Sequence, residues 1–153
     1  MNEVKRIEVM NTLIEINNDR IEGYETASKE TKDAELKTLF SSLIQTSKKC
    51  RQELVDEVQK LDGVPEVGTK TTGKFFRVWM DTKAALTGNN RKSILESCEY
   101  GEDVASRTYN KAIRNNQDDL TVDEKTMIGL QYSLIKADHD IVKGLRDTAP
   151  AHK

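Results

Sequence analysis

Proline is almost missing from the chain: Pro65 and Pro150 are the only two in 153 residues, and aromatics make up 5%. With breakers and bulky strand formers so scarce, and Glu, Lys, Leu and Ala abundant, the composition excludes a strand-rich domain and points to long helices. Cysteine is limited to Cys50 and Cys98, too few for a disulfide framework. Charge of one sign is also lacking. With 24 basic and 26 acidic residues the net charge is −2, so there is no strongly basic nucleic-acid footprint. No run approaches the roughly 18 apolar residues of a membrane span. The first residues, Met1 to Arg6, lack the apolar core of a secretory signal, and the expected compartment is the cytoplasm.

Glycine is scarce except in one place. Four of the eight, Gly63, Gly68, Gly73 and Gly88, fall in one 26-residue stretch and separate two helical blocks. In the first block, Ile7, Met10, Ile14, Asn17, Ile21 and Tyr24 step by 3 and 4 residues, a bundle seam on a helix from about residue 2 to 32. Asp33 is placed to cap a second helix, with the seam Leu36, Phe40, Leu43, Ser47, Cys50, Leu54, Val58 and Leu61, and Gly63 as its left-handed terminator. The third helix, from about residue 91 to 114, carries Leu95, Cys98, Glu102, Ala105, Tyr109 and Ala112. Thr121-Val122-Asp123-Glu124 is a capping box opening a fourth helix to about residue 147. Its apolar face reads as wide, taking in Met127, Ile128, Leu130, Leu134, Ile135, Ile141, Val142 and Leu145.

A short link, a 28-residue crossover from residue 63 to 90, and another short link make the second and third helices parallel. The expected fold is therefore all-α: a ferritin-like four-helix bundle over residues 1–148, with a long crossover containing a short extra helix, and a flexible tail at 149–153. A faint internal repeat agrees. Tyr24 and Ala27 align with Tyr109 and Ala112, and the same offset sets Asn17 on Glu102 and Asn18 on Asp103.

A ferritin-like di-metal centre needs a Glu from each of two helices and Glu-x-x-His from each of the others. The second helix instead offers Ser47-Lys48-Lys49-Cys50, and the fourth Lys136-Ala137-Asp138-His139. His152, the other histidine, lies in the tail. Asn17, Ser47, Glu102 and Asp138 then read as polar core residues that fix register. Glu102 is costly to bury and needs a partner: an Arg, a Lys, a Tyr or His139. A turn near Gln117 would place Glu102 level with Ser133, and His139 level with residues 96–99. A reduced metal site at Glu99, Glu102 and His139 is the competing reading. Both cysteines read as buried thiols, at levels too far apart to bridge.

The densest apolar cluster, Phe75-Phe76-Arg77-Val78-Trp79-Met80, lies in the crossover, on a helix expected from Lys74 to Leu86. It reads as a lid across the bundle, with Phe76, Trp79 and Met80 as a subunit interface, because one helix face cannot bury every large side chain.

The segments Ile14–Glu25, Leu36–Phe40, Trp79–Gly88, Ile94–Asp103 and Ala137–Asp140 together resemble a bacterial four-helix-bundle family, a domain of unknown function placed in the ferritin-like superfamily. The resemblance runs from about residue 6 to 147 and implies fold and bacterial origin, not an activity. The functional expectation is a non-catalytic bundle without cofactor that forms homo-oligomers, in a stress or envelope context. The alternatives are a metal-binding or redox protein holding iron, manganese or zinc, and a binding module for a small apolar ligand beneath the crossover.

Overall fold

The computed structural model describes residues 3–68 and 91–148. Four helices and no strand occur among them: α1 (Glu3–Glu30), α2 (Ala34–Lys60), α3 (Arg91–Asn115) and α4 (Val122–Thr148). The expected helix at Lys74–Leu86, and with it Phe76, Trp79 and Met80, lies outside the described residues. So does the tail at 149–153.

Both ends of α2 and the start of α4 have a chemical cause. The Asp33 carboxylate accepts from the backbone N–H of Glu35 at 2.9 Å and of Leu36 at 3.2 Å, satisfying two of the amides that a helix start leaves open. Its other oxygen pairs with Arg91 at the head of α3. The cap hydrogen bonds and Arg91 outweigh the effect of burial and hold Asp33 below its usual range. Asp33→Ala is expected to cost about 1 kcal/mol, read by chemical denaturation at neutral pH. The loss should shrink toward acid as the cap carboxylate is protonated in the wild type.

At the far end of α2 the terminator differs from expectation. The left-handed residue is Asp62, at φ 62°, and not Gly63. Gly63 serves instead as a close approach: a Cβ there would meet Ile7 Cδ1 at 2.9 Å. The Gly63 N–H reaches back to Val58 C=O at 2.9 Å and closes the helix end. The capping box of α4 is complete, with Thr121 N–H on Glu124 Oε1 at 2.9 Å and Glu124 N–H on Thr121 Oγ1 at 3.1 Å.

Helix directions follow from the cross-helix bonds. Asn17 meets Tyr109 while Arg20 and Tyr24 meet Glu102, so α1 and α3 are antiparallel. Gln131 meets Glu53, and Asp138 approaches the level of Thr46, so α2 and α4 are antiparallel too. The three-residue link between α1 and α2 makes them a hairpin, so α2 and α3 run parallel. The intervening chain starts back along α1: Asn11 bonds Val64 and Glu66, and Asn18 bonds Gly68.

The seams of α1, α2 and α3 form the interior. One cluster gathers Met10, Leu13, Ile14, Leu54, Tyr109 and Ile128 with their neighbours; a second, toward the other end, gathers Tyr24, Leu36, Phe40, Leu43, Leu95 and Val142. Helix α4 departs from the expected wide face. Its buried stripe is Glu124, Ile128, Gln131, Ile135 and Val142, while Leu130, Leu134 and Ile141 are exposed at 64%, 40% and 50%. Two apolar stripes lie side by side on α4, and only one can face a core bounded by three other helices. No helix among the described residues is long and apolar enough to cross a membrane.

Candidate functional site

Between the two apolar clusters the interior is polar. Arg20 stands at its centre with only 2% of its surface exposed. Its Nη2 donates to Glu102 Oε2 at 2.8 Å and to Asp138 Oδ2 at 3.3 Å; its Nη1 donates to Ser47 Oγ at 2.6 Å. The Tyr24 hydroxyl donates to the same Glu102 oxygen, and the guanidinium carbon lies 5.7 Å from the Tyr24 ring centroid. Tyr24 in turn stacks on Phe40 at 5.6 Å. All four helices supply a member.

The electrostatics follow from this packing. Burial works against the Arg20 charge, but Glu102, Tyr24 and Asp138 outweigh it and raise its pKa, so the guanidinium stays cationic. Burial and the Glu102 charge push the Tyr24 phenol well up, which keeps it a hydrogen-bond donor. Burial also raises Asp138, against the pull of Arg20. Cys50, on the same side of the cluster, is pushed up to about 11 by burial, so it is a thiol at neutral pH. Cys50 and Cys98 are both free and buried.

One turn away, Asn17 Nδ2 donates to Tyr109 Oη at 2.8 Å, Tyr109 donates to Gln131 Oε1 at 2.7 Å, and Gln131 reaches Glu53 at 2.9 Å. The internal repeat is visible here. Tyr24 of the first hairpin bonds Glu102 of the second, and Tyr109 of the second bonds Asn17 of the first. The two equivalent seats also each keep an acceptor, Asn17 Oδ1 and Glu102 Oε1, buried without a hydrogen-bond partner among the described residues. Such a core is dearer in free energy than an apolar one of the same volume.

The expected metal residues divide between two places. Glu102 points inward to Arg20. His139 lies on the other side of the α3–α4 groove, with its Nε2 at 2.6 Å from Asp103 Oδ1 and 3.9 Å from Glu99 Oε2. Glu99, Asp103 and His139 present one ligand atom each within 4.8 Å of one another, and Arg146 also pairs with Glu99. Asp103 thus stands where Glu102 was expected. The reason is the helix face: Glu99 and Asp103, four residues apart, share the face of α3 that meets His139, while Glu102, about 100° round from Asp103, sits on the inward seam with Arg20.

A third ionic group closes the opposite end of the bundle. Arg6 binds Glu124 through Nε at 3.0 Å and Nη2 at 2.8 Å, with Glu57 at 3.9 Å. Burial would raise Glu124, but Arg6, Glu57 and the Thr121 N–H together bring it down to about 2. Burial and the adjacent Glu124 raise Glu57. A groove of about 500 Å³ opens between α1 and α3, with Val9, Val104 and Ala112 at its walls and Lys5, Arg107 and Lys111 among its polar lining.

Sequence reasoning did not single out Arg20, although Glu102 in a core seat demanded a partner. The signal was its position three residues after Asn17 and four before Tyr24, on the edge of the seam.

No curated protein matches the chain. The model of a family described as a domain of unknown function (DUF2383) matches residues 5–115, and the chain belongs to that family. The matched span contains Arg20, Ser47, Glu102 and Tyr109 and ends before α4, which supplies Asp138 and His139.

Proposed function

We propose that the protein is a non-catalytic, self-associating bundle of ferritin-like type, in which its own Arg20 guanidinium takes the central place that metal ions take in di-metal carboxylate bundles. The observation that carries this is the buried Arg20 between Glu102 of α3, Asp138 of α4 and Ser47 of α2. Glu102 and Ser47 stand in inward seats like those from which carboxylate bundles ligate their metals, and Asp138 approaches from beside such a seat on α4. A fixed monovalent cation there supplies the charge the carboxylates need, with Nε and Nη2 on Glu102 Oε2, Nη2 also on Asp138 Oδ2, and Nη1 on Ser47 Oγ. The parallel course of α2 and α3 supports the ferritin-like connectivity.

A second reading rests on a different observation, the convergence of Glu99, Asp103 and His139. One imidazole and two carboxylates suit zinc, manganese or iron(II). One titration separates the two. Purified protein is titrated with Zn²⁺ and Mn²⁺ by calorimetry, alongside Glu102→Gln and His139→Ala. The central reading expects Glu102→Gln to leave metal binding unchanged; a wild-type ion lost in that variant overturns it. The second reading expects one ion per chain that His139→Ala releases, and a wild type that takes up no ion overturns it.

A further inference from the structure

Helix α4 carries a second heptad seam that no helix among the described residues covers. Leu130, Leu134, Ala137 and Ile141 step by 4, 3 and 4 residues on its outer face, and all are exposed. This is the spacing of a coiled-coil stripe, and it extends to Met127, which is partly buried against the core, on one side and to exposed Gly144 on the other. Small residues flank it. A Cβ built on Gly129 or Gly144 would meet nothing within 4 Å, so another helix can approach closely there. A solvent-facing helix surface has no need of such a seam; three large side chains in line form a patch of the kind that marks an interaction surface.

We infer that this face of α4 docks antiparallel against the same face of a second copy, about a twofold axis passing between Ile135 and Lys136. The inference rests on the self-association proposed above and names its surface. A second copy is the occupant because the stripe is complementary to itself in that orientation only. The antiparallel register sets Leu130 of one chain opposite Ile141 of the other, Leu134 opposite Ala137, and Met127 opposite Gly144, so that larger side chains meet smaller ones at the second and third of these levels. A parallel pair would set Leu130 on Leu130 and Gly144 on Gly144, crowding some levels and leaving gaps at others.

The polar flank agrees. Beside the seam lie Thr126, Ser133, Asp140 and Asp147, all exposed. The antiparallel register brings Asp140, which also meets its own His139, near Ser133 of the second copy, and Asp147, which also meets its own Lys143 and Arg146, near Thr126, each a carboxylate facing a hydroxyl donor. Lys136 is exposed, makes no ion pair among the described residues, and stands about one turn from Asp140 of the second copy. The contact is one helix wide, below the 1,200–2,000 Å² or so buried by stable specific interfaces, so a reversible dimer is expected.

Sedimentation velocity over a wide concentration range tests this on the full chain. The wild type should show a monomer–dimer equilibrium. Leu130→Glu and Ile141→Glu, both at exposed positions, should keep the helical circular dichroism and weaken the dimer at least tenfold each. Orientation is read separately, because the native thiols are buried. Leu130→Cys mixed with Ile141→Cys should oxidise mainly to the mixed disulfide dimer. A wild type that stays monomeric throughout overturns both this inference and the self-association it rests on. A dimer indifferent to both glutamates overturns the α4 face alone. Dominant Leu130→Cys homodimers overturn the antiparallel arrangement.

Discussion

Replacing Arg20 with methionine should cost about 3–5 kcal/mol of folding free energy, the largest loss expected from any single polar substitution in this chain. The volume is nearly kept, so packing explains little of the loss. The cost comes from Glu102 and Asp138, which lose the one cation among the described residues that pairs with them both. For a domain of this length the midpoint of thermal unfolding should fall by about 10 °C. The pH dependence carries a signature. Burial already raises Asp138 in the presence of Arg20, and without the guanidinium only the Thr46 hydrogen bond opposes that rise. A carboxyl whose folded pKa lies above its unfolded value contributes most stability below the unfolded value and loses it as pH rises through the folded one. The Arg20→Met deficit should therefore be smaller at pH 4 than at pH 7, in matched denaturant titrations.

Arg6→Met should show a similar sign at the other end of the bundle, at a cost of about 2–3 kcal/mol at pH 7. In the wild type, Glu124 is held at about 2, against an ordinary 4.5. Its contribution is fully present above the ordinary value and is lost as pH falls toward 2. Glu57, raised in the folded protein, contributes in the opposite sense. Removing Arg6 takes away the cation that lowers Glu124 and leaves two adjacent carboxyls, of which Glu124 is almost fully buried. Glu124 then rises from its lowered value and binds its proton at a higher pH than in the wild type, so acidification from pH 7 to 4 should narrow the gap between variant and wild type. A deficit that widens toward acid would show that Arg6 does not set the Glu124 carboxyl.

The bundle was legible because heptad spacing and helix caps are local. The seams at Met10 to Tyr24, Leu36 to Val58 and Leu95 to Ala112 are buried as their 3,4 steps require, and Asp33 and Thr121–Glu124 cap the helices they precede. Asn17, Ser47 and Glu102 are buried for the same reason. What periodicity could not settle was which of two adjacent stripes on α4 faces inward, since Leu130, Leu134 and Ile141 repeat as regularly as Ile128, Ile135 and Val142. Register was the second limit. Helix length at the turn moved His139 from the expected level of residues 96–99 to that of Glu99 and Asp103, and no single residue announces that. Arg20 was hidden by its type, because an arginine beside a seam is ordinarily solvated and becomes central only when Glu102 and Asp138 converge on it from two other helices.

The most direct test of the self-contained ionic centre is a double-mutant cycle between Arg20 and Glu102, measured by chemical denaturation with Arg20→Met, Glu102→Leu and the pair. If the two side chains form the buried ion pair at the core, the double variant should be more stable than Arg20→Met alone, with a coupling of about 2–3 kcal/mol. Additive losses, leaving the double variant less stable than either single one, would contradict it.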